Sequence, residues 1–337
     1  MNKPRPKPTT RLGEWWHSKP IRRFRHNPLA ITGFVLLLGF VFIAVFAGPL
    51  TEIGRSCMRD LGLSAATQTD YKNPLKKEFW QIVVAPPDSC YMIPRNSFAA
   101  LPQIAEQSGK ILGTTTGGYD IFYGLIWGAR SAFKIGVIVV GFSMIAGLLI
   151  GSISGFFGGW IDNLMMRIVD IVISLPSLVV SLVVVMVLGK SLENLMFAIS
   201  LTAWPNYARL MRGEVLKVKE EDYVVSAKAL GRSRLGVLMK HVVPNSIGPM
   251  VIIASLDIGA VVLTAAALSF LGLGVELGYA DWGQMISFAR DWILGPPGQP
   301  FAYLFVSFWP GLIIVLFVLA WNLMGDAFRD VLDPRGR

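Results

Sequence analysis

Six stretches of this chain are long and almost free of charge, and segments of that kind leave few ways to fold. Leu29–Gly48 runs for 20 residues without a charged side chain. A helix of that length spans about 30 Å, the hydrocarbon thickness of a bilayer. In lipid the backbone has no water to bond, so helix is the form that satisfies it within one segment. Ile135–Phe157, Ile171–Gly189, Leu195–Ala208, Ile247–Val275 and Phe301–Gly325 repeat the pattern. The fourth is short, holds Pro205, and reaches full span only with help from residues near Glu193 and Arg209. The fifth contains Asp257. The first run exceeds the apolar core of about 7–15 residues in a cleaved leader and lacks an A-x-A site, so it reads as an uncleaved helix. The expectation is an all-α membrane protein with six transmembrane helices.

Composition agrees. Charged residues make up 16% of the 337 and hydrophobic ones 53%, against about 25% charged in a soluble domain. Mean hydropathy is +0.54. A net charge of +9 raises the question of nucleic acid. The basic residues cluster in particular loops, however, which is the pattern that orients a membrane protein, so no nucleic-acid partner is expected. Eight Lys or Arg precede Pro28, and eight more lie between Arg209 and Lys240. Placing both on the cytoplasmic side leaves Lys190 and Arg290 in the short outside loops and puts both termini inside.

The chain then divides into a basic arm (1–27), a first helix (28–50), an external insert (51–112), a helical core (113–327) carrying a basic loop (209–245), and a short tail (328–337). Prolines 74, 86, 87, 94 and 102 break the insert too often for a spanning helix. Export would place Cys57 and Cys90 in an oxidising compartment, where a disulfide and two unpaired thiols are the alternatives. The cysteines and histidines show no metal-ligand spacing, so no metal site is expected.

Gly147, Gly151 and Gly155 stand four residues apart. They share one helical face and suit close helix packing in lipid. Gly189-Lys190-Ser191 ends like a phosphate-binding loop, but Val184 stands where glycine is required and the segment before it is helical. ATP, if used, is bound by another chain.

The basic loop carries a short helix signal. Glu220, Glu221 and Asp222 open it and Gly231 closes it, the charge and glycine placement that helix ends favour. Val224, Ala227 and Leu230 or Gly231 make a small-residue face. A helix on the lipid surface and a helix entering a partner's groove both fit.

Tyr223–Asn245, YVVSAKALGRSRLGVLMKHVVPN, resembles the coupling loop of binding-protein-dependent ABC importer permeases. Gly231, Pro244 and Asn245 fall in register. Of the family's E-A-A triplet only the last member is kept, in Val225-Ser226-Ala227. Other segments resemble the oligopeptide and dipeptide branch: Arg25–Ala30, Leu112–Asp120, Gly128–Arg130, Met166–Asp170 with Pro176, Leu268–Gly274, Trp282–Met285 and Asn322–Arg335. Tyr119 stands where that branch usually has arginine, and Ala265 where it often has glutamate.

The resemblance implies a type I ABC importer permease fold, as the second-permease (C-type) subunit of a peptide or nickel importer in a prokaryotic inner membrane. It implies a heterodimer with another permease, two cytoplasmic ATPase subunits that bind ATP and Mg, and an external substrate-binding protein. This chain would need no cofactor and perform no catalysis. Glu221, Asp222, Tyr223, Ala227, Leu230, Gly231, Arg232 and Ser233 would couple it to the ATPase. Asp170 and Asp257 are candidates for the translocation path, since intramembrane acids usually face a partner or water. Asp170 also stands three residues from Arg167 and can pair with it, and Asp257 can equally be a packing residue. The alternatives are a nickel-chelate importer of the same family, an ion-coupled secondary transporter, which would want more embedded acids, and a membrane scaffold, which would leave the loop without a task.

Overall fold

The computed structural model describes residues 27–64, 66–95, 101–295 and 298–332. Most of the basic arm 1–27 and half of the tail 328–337 lie outside the described residues. In chain order the longer helices are α1 (Pro28–Val45), α2 (Lys77–Val84), α3 (Ile121–Phe157), α4 (Gly159–Ser174), α5 (Ser177–Leu188), α6 (Leu192–Val218), α7 (Asp222–Ala229), α8 (Gly248–Phe270), α9 (Trp282–Ala289) and α10 (Leu304–Leu332). Among the described residues β pairing is limited to isolated bridges.

By length and composition α1, α3, α8 and α10 can each cross a bilayer. The pair α4 and α5 makes a fifth crossing if its 84° bend lies within one span. The break falls at Leu175-Pro176, where proline disfavours the helical conformation of the residue before it. α6 has the length to cross, at 27 residues, but Arg209, Arg212, Glu214 and Lys217 charge its second half. It therefore continues past Arg209, where charge alone puts the start of the loop.

Asp120 caps α3 by accepting from Tyr123 N–H at 3.2 Å. The helix thus begins 14 residues before the uncharged run at Ile135. The two basic residues in that extension are satisfied. Arg130 donates to the Ile82 and Val83 carbonyls, both at 3.1 Å. Lys134 pairs with Glu193 at 3.3 Å.

The glycine triplet does pack. A Cβ on Gly147 would stand 2.3 Å from Tyr207 Cβ, one on Gly151 2.4 Å from the Ala208 carbonyl, and one on Gly155 2.9 Å from the Arg212 carbonyl. α3 and α6 meet backbone to backbone along three turns. Without a hydrophobic drive between helices in lipid, such close van der Waals contact is what holds them. Trp282 plays the complementary part near the start of α3. Its indole fills the space left by Gly128 and donates to the Leu125 carbonyl at 3.0 Å, while its ring packs on Phe317 of α10.

At one end of the bundle, Asn27 caps α1 and its amide donates to Asp330 Oδ2 at 3.0 Å. The start of α1 and the end of α10 therefore share a face. The insert sits at the opposite end of α1. Cys57 and Cys90 are joined in a buried disulfide. Tyr71 donates to the Thr51 carbonyl at 3.1 Å, and Trp127 donates to Thr51 Oγ1 at 3.0 Å. Tyr123 donates to the Cys90 carbonyl. Tyr91 and Ile93 exchange backbone bonds with Ala280 and Gly278 at 2.7 and 2.8 Å. The insert is thus fastened both to α3 and to the segment between α8 and α9.

Candidate functional site

The α7 element lies beyond the end of α6 and is closed by a two-bond cap. Gly231 N–H donates to the Lys228 carbonyl at 3.0 Å, and Arg232 N–H donates to Ala227 at 3.4 Å. This pairing needs a left-handed residue after the last turn, and Gly231 supplies it with φ +79°. Glu221 stands at the N-cap with extended backbone, and Asp222 occupies the first turn, where negative charge meets the helix's free N–H groups. Ser233 then caps the next turn by accepting from Gly236 N–H at 3.2 Å.

Val224 is fully buried and Ala227 partly so, as the small-residue face requires, but Leu230 is 87% exposed. The reason is positional. Leu230 is the residue at which α7 turns off, so its side chain leaves the helical register. Tyr223, Val225, Leu235 and Met239 are exposed as well. With Ser226, Ala227, Leu230, Gly231, Arg232 and His241, Tyr223 lines a depression of about 690 Å³. Of these exposed apolar side chains, Tyr223 and Leu230 border the depression itself, and exposed apolar surface of this kind is shared by protein, membrane and ligand contact sites. Arg232 reaches His241 Nε2 at 2.8 Å, and Asn245 donates to the His241 carbonyl at 2.6 Å. These contacts hold the return segment against the far wall. That segment holds a turn of π-helix at Leu238–Val242, a geometry found often at functional sites.

Three contacts tie this element, and the end of α6 that leads into it, to the bundle. Lys228 Nζ lies 5.3 Å over the Phe156 ring, at the end of α3. Lys219 donates to the Gly155 carbonyl at 3.0 Å. Arg212 grips Asp162 of α4 through two hydrogen bonds of 2.6 Å, a bidentate geometry stronger and more directional than a single contact. Ser154 Oγ donates to the same carboxylate. Nothing in the chain's local patterns singles out Arg212 and Asp162, because they lie 50 residues apart.

Asp170 pairs with Arg209 at 2.6 Å rather than with Arg167 one turn away. The neighbouring helix α6 brings its guanidinium in directly, with both groups about half exposed. Arg209 and Arg212 thus fasten two points of α4 to one face of α6. Asp257, half-buried on α8, accepts from the buried Tyr207 hydroxyl at 2.7 Å. Both acids therefore bond to α6, and they do so through different partners. The described residues contain no group of His, Cys, Asp and Glu that would hold a metal ion.

Residues 147–337 match the model of a family described as the binding-protein-dependent transport system inner membrane component. Residues 15–66 match the N-terminal TM domain of oligopeptide transport permease C. The chain is 32% identical to the dipeptide transport system permease protein DppC of Alkalihalophilus pseudofirmus, across 97% of this chain and 91% of that protein. It is 33% identical to the oligopeptide transport system permease protein OppC of Bacillus subtilis, across 94% and 88% respectively. The probable D,D-dipeptide transport system permease protein DdpC of Escherichia coli is 40% identical across 66% of this chain and 72% of its own. Among solved structures, the inward-facing MetNI methionine ABC transporter superposes with a TM-score of 0.51 at 16% identity, covering 63% of this chain and 97% of that one. Identity that low speaks for the fold alone.

Proposed function

The chain belongs to the family of binding-protein-dependent transport system inner membrane components, and on that premise we propose how its parts serve a peptide importer. It is a membrane-spanning permease subunit of the C type, a transport component rather than an enzyme. The relatives named above carry dipeptides or oligopeptides in their titles, which favours peptide over a nickel chelate or an ion-coupled solute.

In this reading a second permease completes the membrane pair, two cytoplasmic ATPase subunits bind ATP and Mg, and an external binding protein delivers the peptide. The face shared by Asn27 and Asp330 is cytoplasmic in a prokaryotic inner membrane, the insert is external, and α6 and the bent α4–α5 pair complete six crossings. α7 docks on an ATPase subunit, with Glu221, Asp222, Tyr223, Ala227, Leu230, Gly231, Arg232 and Ser233 as the coupling residues. Closure of the ATPase pair pushes α7, and the Lys228, Lys219 and Arg212 contacts carry that push into α3 and α4. Only a stiff linkage passes a bias between two states of the membrane helices. Asp170 and Asp257 stand near the peptide path, which must be polar because a peptide carries charged termini.

The observation that carries this reading is the capped α7 with its exposed apolar rim. In the reconstituted complex, Leu230→Asp is expected to cut binding-protein-stimulated ATP hydrolysis ~10-fold, the equivalent of about 1.4 kcal/mol of docking. Gly231→Val is expected to do the same by straining a left-handed position, at a cost of about 1–2 kcal/mol. Stimulation at the unmodified level in both variants would remove α7 from the coupling.

A further inference from the structure

The external insert carries a helix whose solvent side has the wrong chemistry for water. α2 runs Lys77-Glu78-Phe79-Trp80-Gln81-Ile82-Val83-Val84. Its inward side is Phe79, Ile82 and Val83, all buried. Its outward side, at positions spaced by three and four, is Lys77, Trp80 and Val84. Trp80 is 55% exposed and Val84 73% exposed, and Leu75 just before the helix is 92% exposed. A helix apolar on both sides does not belong in bulk water.

Its position says what covers it. Ile82 is seated on Gly48, so closely that a Cβ there would meet it at 2.5 Å. Gly48 lies in the short helix Ala47–Leu50 that follows α1. α1 is 18 residues long, about 27 Å at the helical rise, so its outer end lies at the hydrocarbon boundary. Arg130 of α3 holds the last turn of α2 through the Ile82 and Val83 carbonyls. α2 is therefore pinned at the level where acyl chains give way to headgroups. The exposed Val45 and Leu50 at this end of α1 continue an apolar surface at the same depth. The Trp80 indole N–H already donates to the Pro74 carbonyl at 3.0 Å, so the ring enters an apolar layer with its polar atom satisfied. Tryptophan favours that layer. Lys76 and Lys77, both exposed, stand where lipid phosphates would lie.

We infer that α2 is a membrane-interface anchor: its Leu75, Trp80 and Val84 side enters the outer leaflet and sets the insert against the lipid surface. The occupant of this side is lipid, and a partner permease or bulk water is the competing outcome. The test is spin-label depth measurement on the whole transporter in lipid bilayers, at Val84→Cys and separately at Leu75→Cys. Cys57 and Cys90 are disulfide-bonded and do not take the label. Relaxation enhanced more by dissolved oxygen than by a water-soluble nickel chelate at both positions is the expected result. Stronger enhancement by the nickel chelate would place α2 in water and overturn the inference. Protection from both reagents would place it under another protein chain, which overturns it equally.

Discussion

The Tyr207 hydroxyl and the Asp257 carboxylate meet at 2.7 Å between α6 and α8. Tyr207 also forms the wall that Gly147 of α3 packs against, so one residue touches two neighbouring helices by two different means. Removing the hydroxyl leaves the packing and orphans the acid. Tyr207→Phe should lower stability by about 1–3 kcal/mol, the usual loss when a buried polar group loses its partner. Thermal unfolding of the purified complex in detergent measures this. A melting temperature equal to that of the parent would mean that Asp257 finds water instead.

The α3–α6 seam offers a second test. At Gly151 even a methyl group would lie 2.4 Å from the Ala208 carbonyl and 2.8 Å from Met211 Cβ. Gly151→Ala should therefore destabilise by about 1–3 kcal/mol, the cost typical of overpacking, although alanine is otherwise the better helix former. Gly141, by contrast, has open space around its Cβ position, and Gly141→Ala should be neutral or mildly stabilising. Equal effects at the two glycines would contradict the close approach.

The Cys57–Cys90 bridge closes a segment with a sequence separation of 33. On the chain-entropy account, losing a loop of that size costs the insert about 3–4 kcal/mol. Cys57→Ser should make the insert sensitive to limited proteolysis while α8 and α10 stay protected. Intact mass after alkylation under non-reducing conditions checks the bond itself, and two alkylated thiols in the native protein would contradict it.

Asp281 caps α9, accepting from Gln284 N–H at 2.9 Å, and is buried. Burial pushes its carboxyl above the ordinary range, opposed in part by the Gln284 and Gly283 N–H groups. A folded value above the unfolded one, which is about 3.9, means that the native state takes up the proton first as pH falls. This group therefore adds stability as pH drops through its folded pKa and withdraws it as pH rises. Asp281→Asn keeps the cap and removes the titration. As pH rises from the unfolded value of about 3.9, melting temperature should fall less steeply for the variant than for the parent, and parallel curves over the whole range would rule out the assignment.

Much of the helical frame is legible from charge alone. The nearly charge-free runs at Leu29, Ile247 and Phe301 mark α1, α8 and the start of α10 within about five residues, because lipid makes charge costly along such a span, although α10 goes on past Gly325 through Asp326, Arg329 and Asp330. The same criterion fails where a helix outruns the membrane. The first turns of α3 carry Arg130 and Lys134, whose charges are met by Val83 and Glu193 from distant segments. α6 likewise continues past Arg209 into charged turns. The glycine periodicity announced a packing face correctly, since backbone approach depends on local spacing. It could not name Tyr207, Ala208 and Arg212 as what is approached. At α7 the helix and its glycine cap are written locally, but the outward turn of Leu230 follows from cap geometry rather than from helical phase. The pairing of Asp170 with Arg209 is set by how α4 lies on α6, which no spacing within α4 reveals.

The way the insert is fastened has a consequence for biogenesis. Every anchor it uses outside itself and α1 is synthesised after it: Tyr123, Trp127 and Arg130 on α3, then Gly278 and Ala280 far downstream. The insert emerges first and must wait, its last helical turn uncapped until Arg130 arrives and its edge unpaired until the chain beyond α8 is in place. Completion of this module therefore requires that the later helices be threaded in the right order, and, on the proposed orientation, a misinserted α3 would leave it open to proteases outside the membrane.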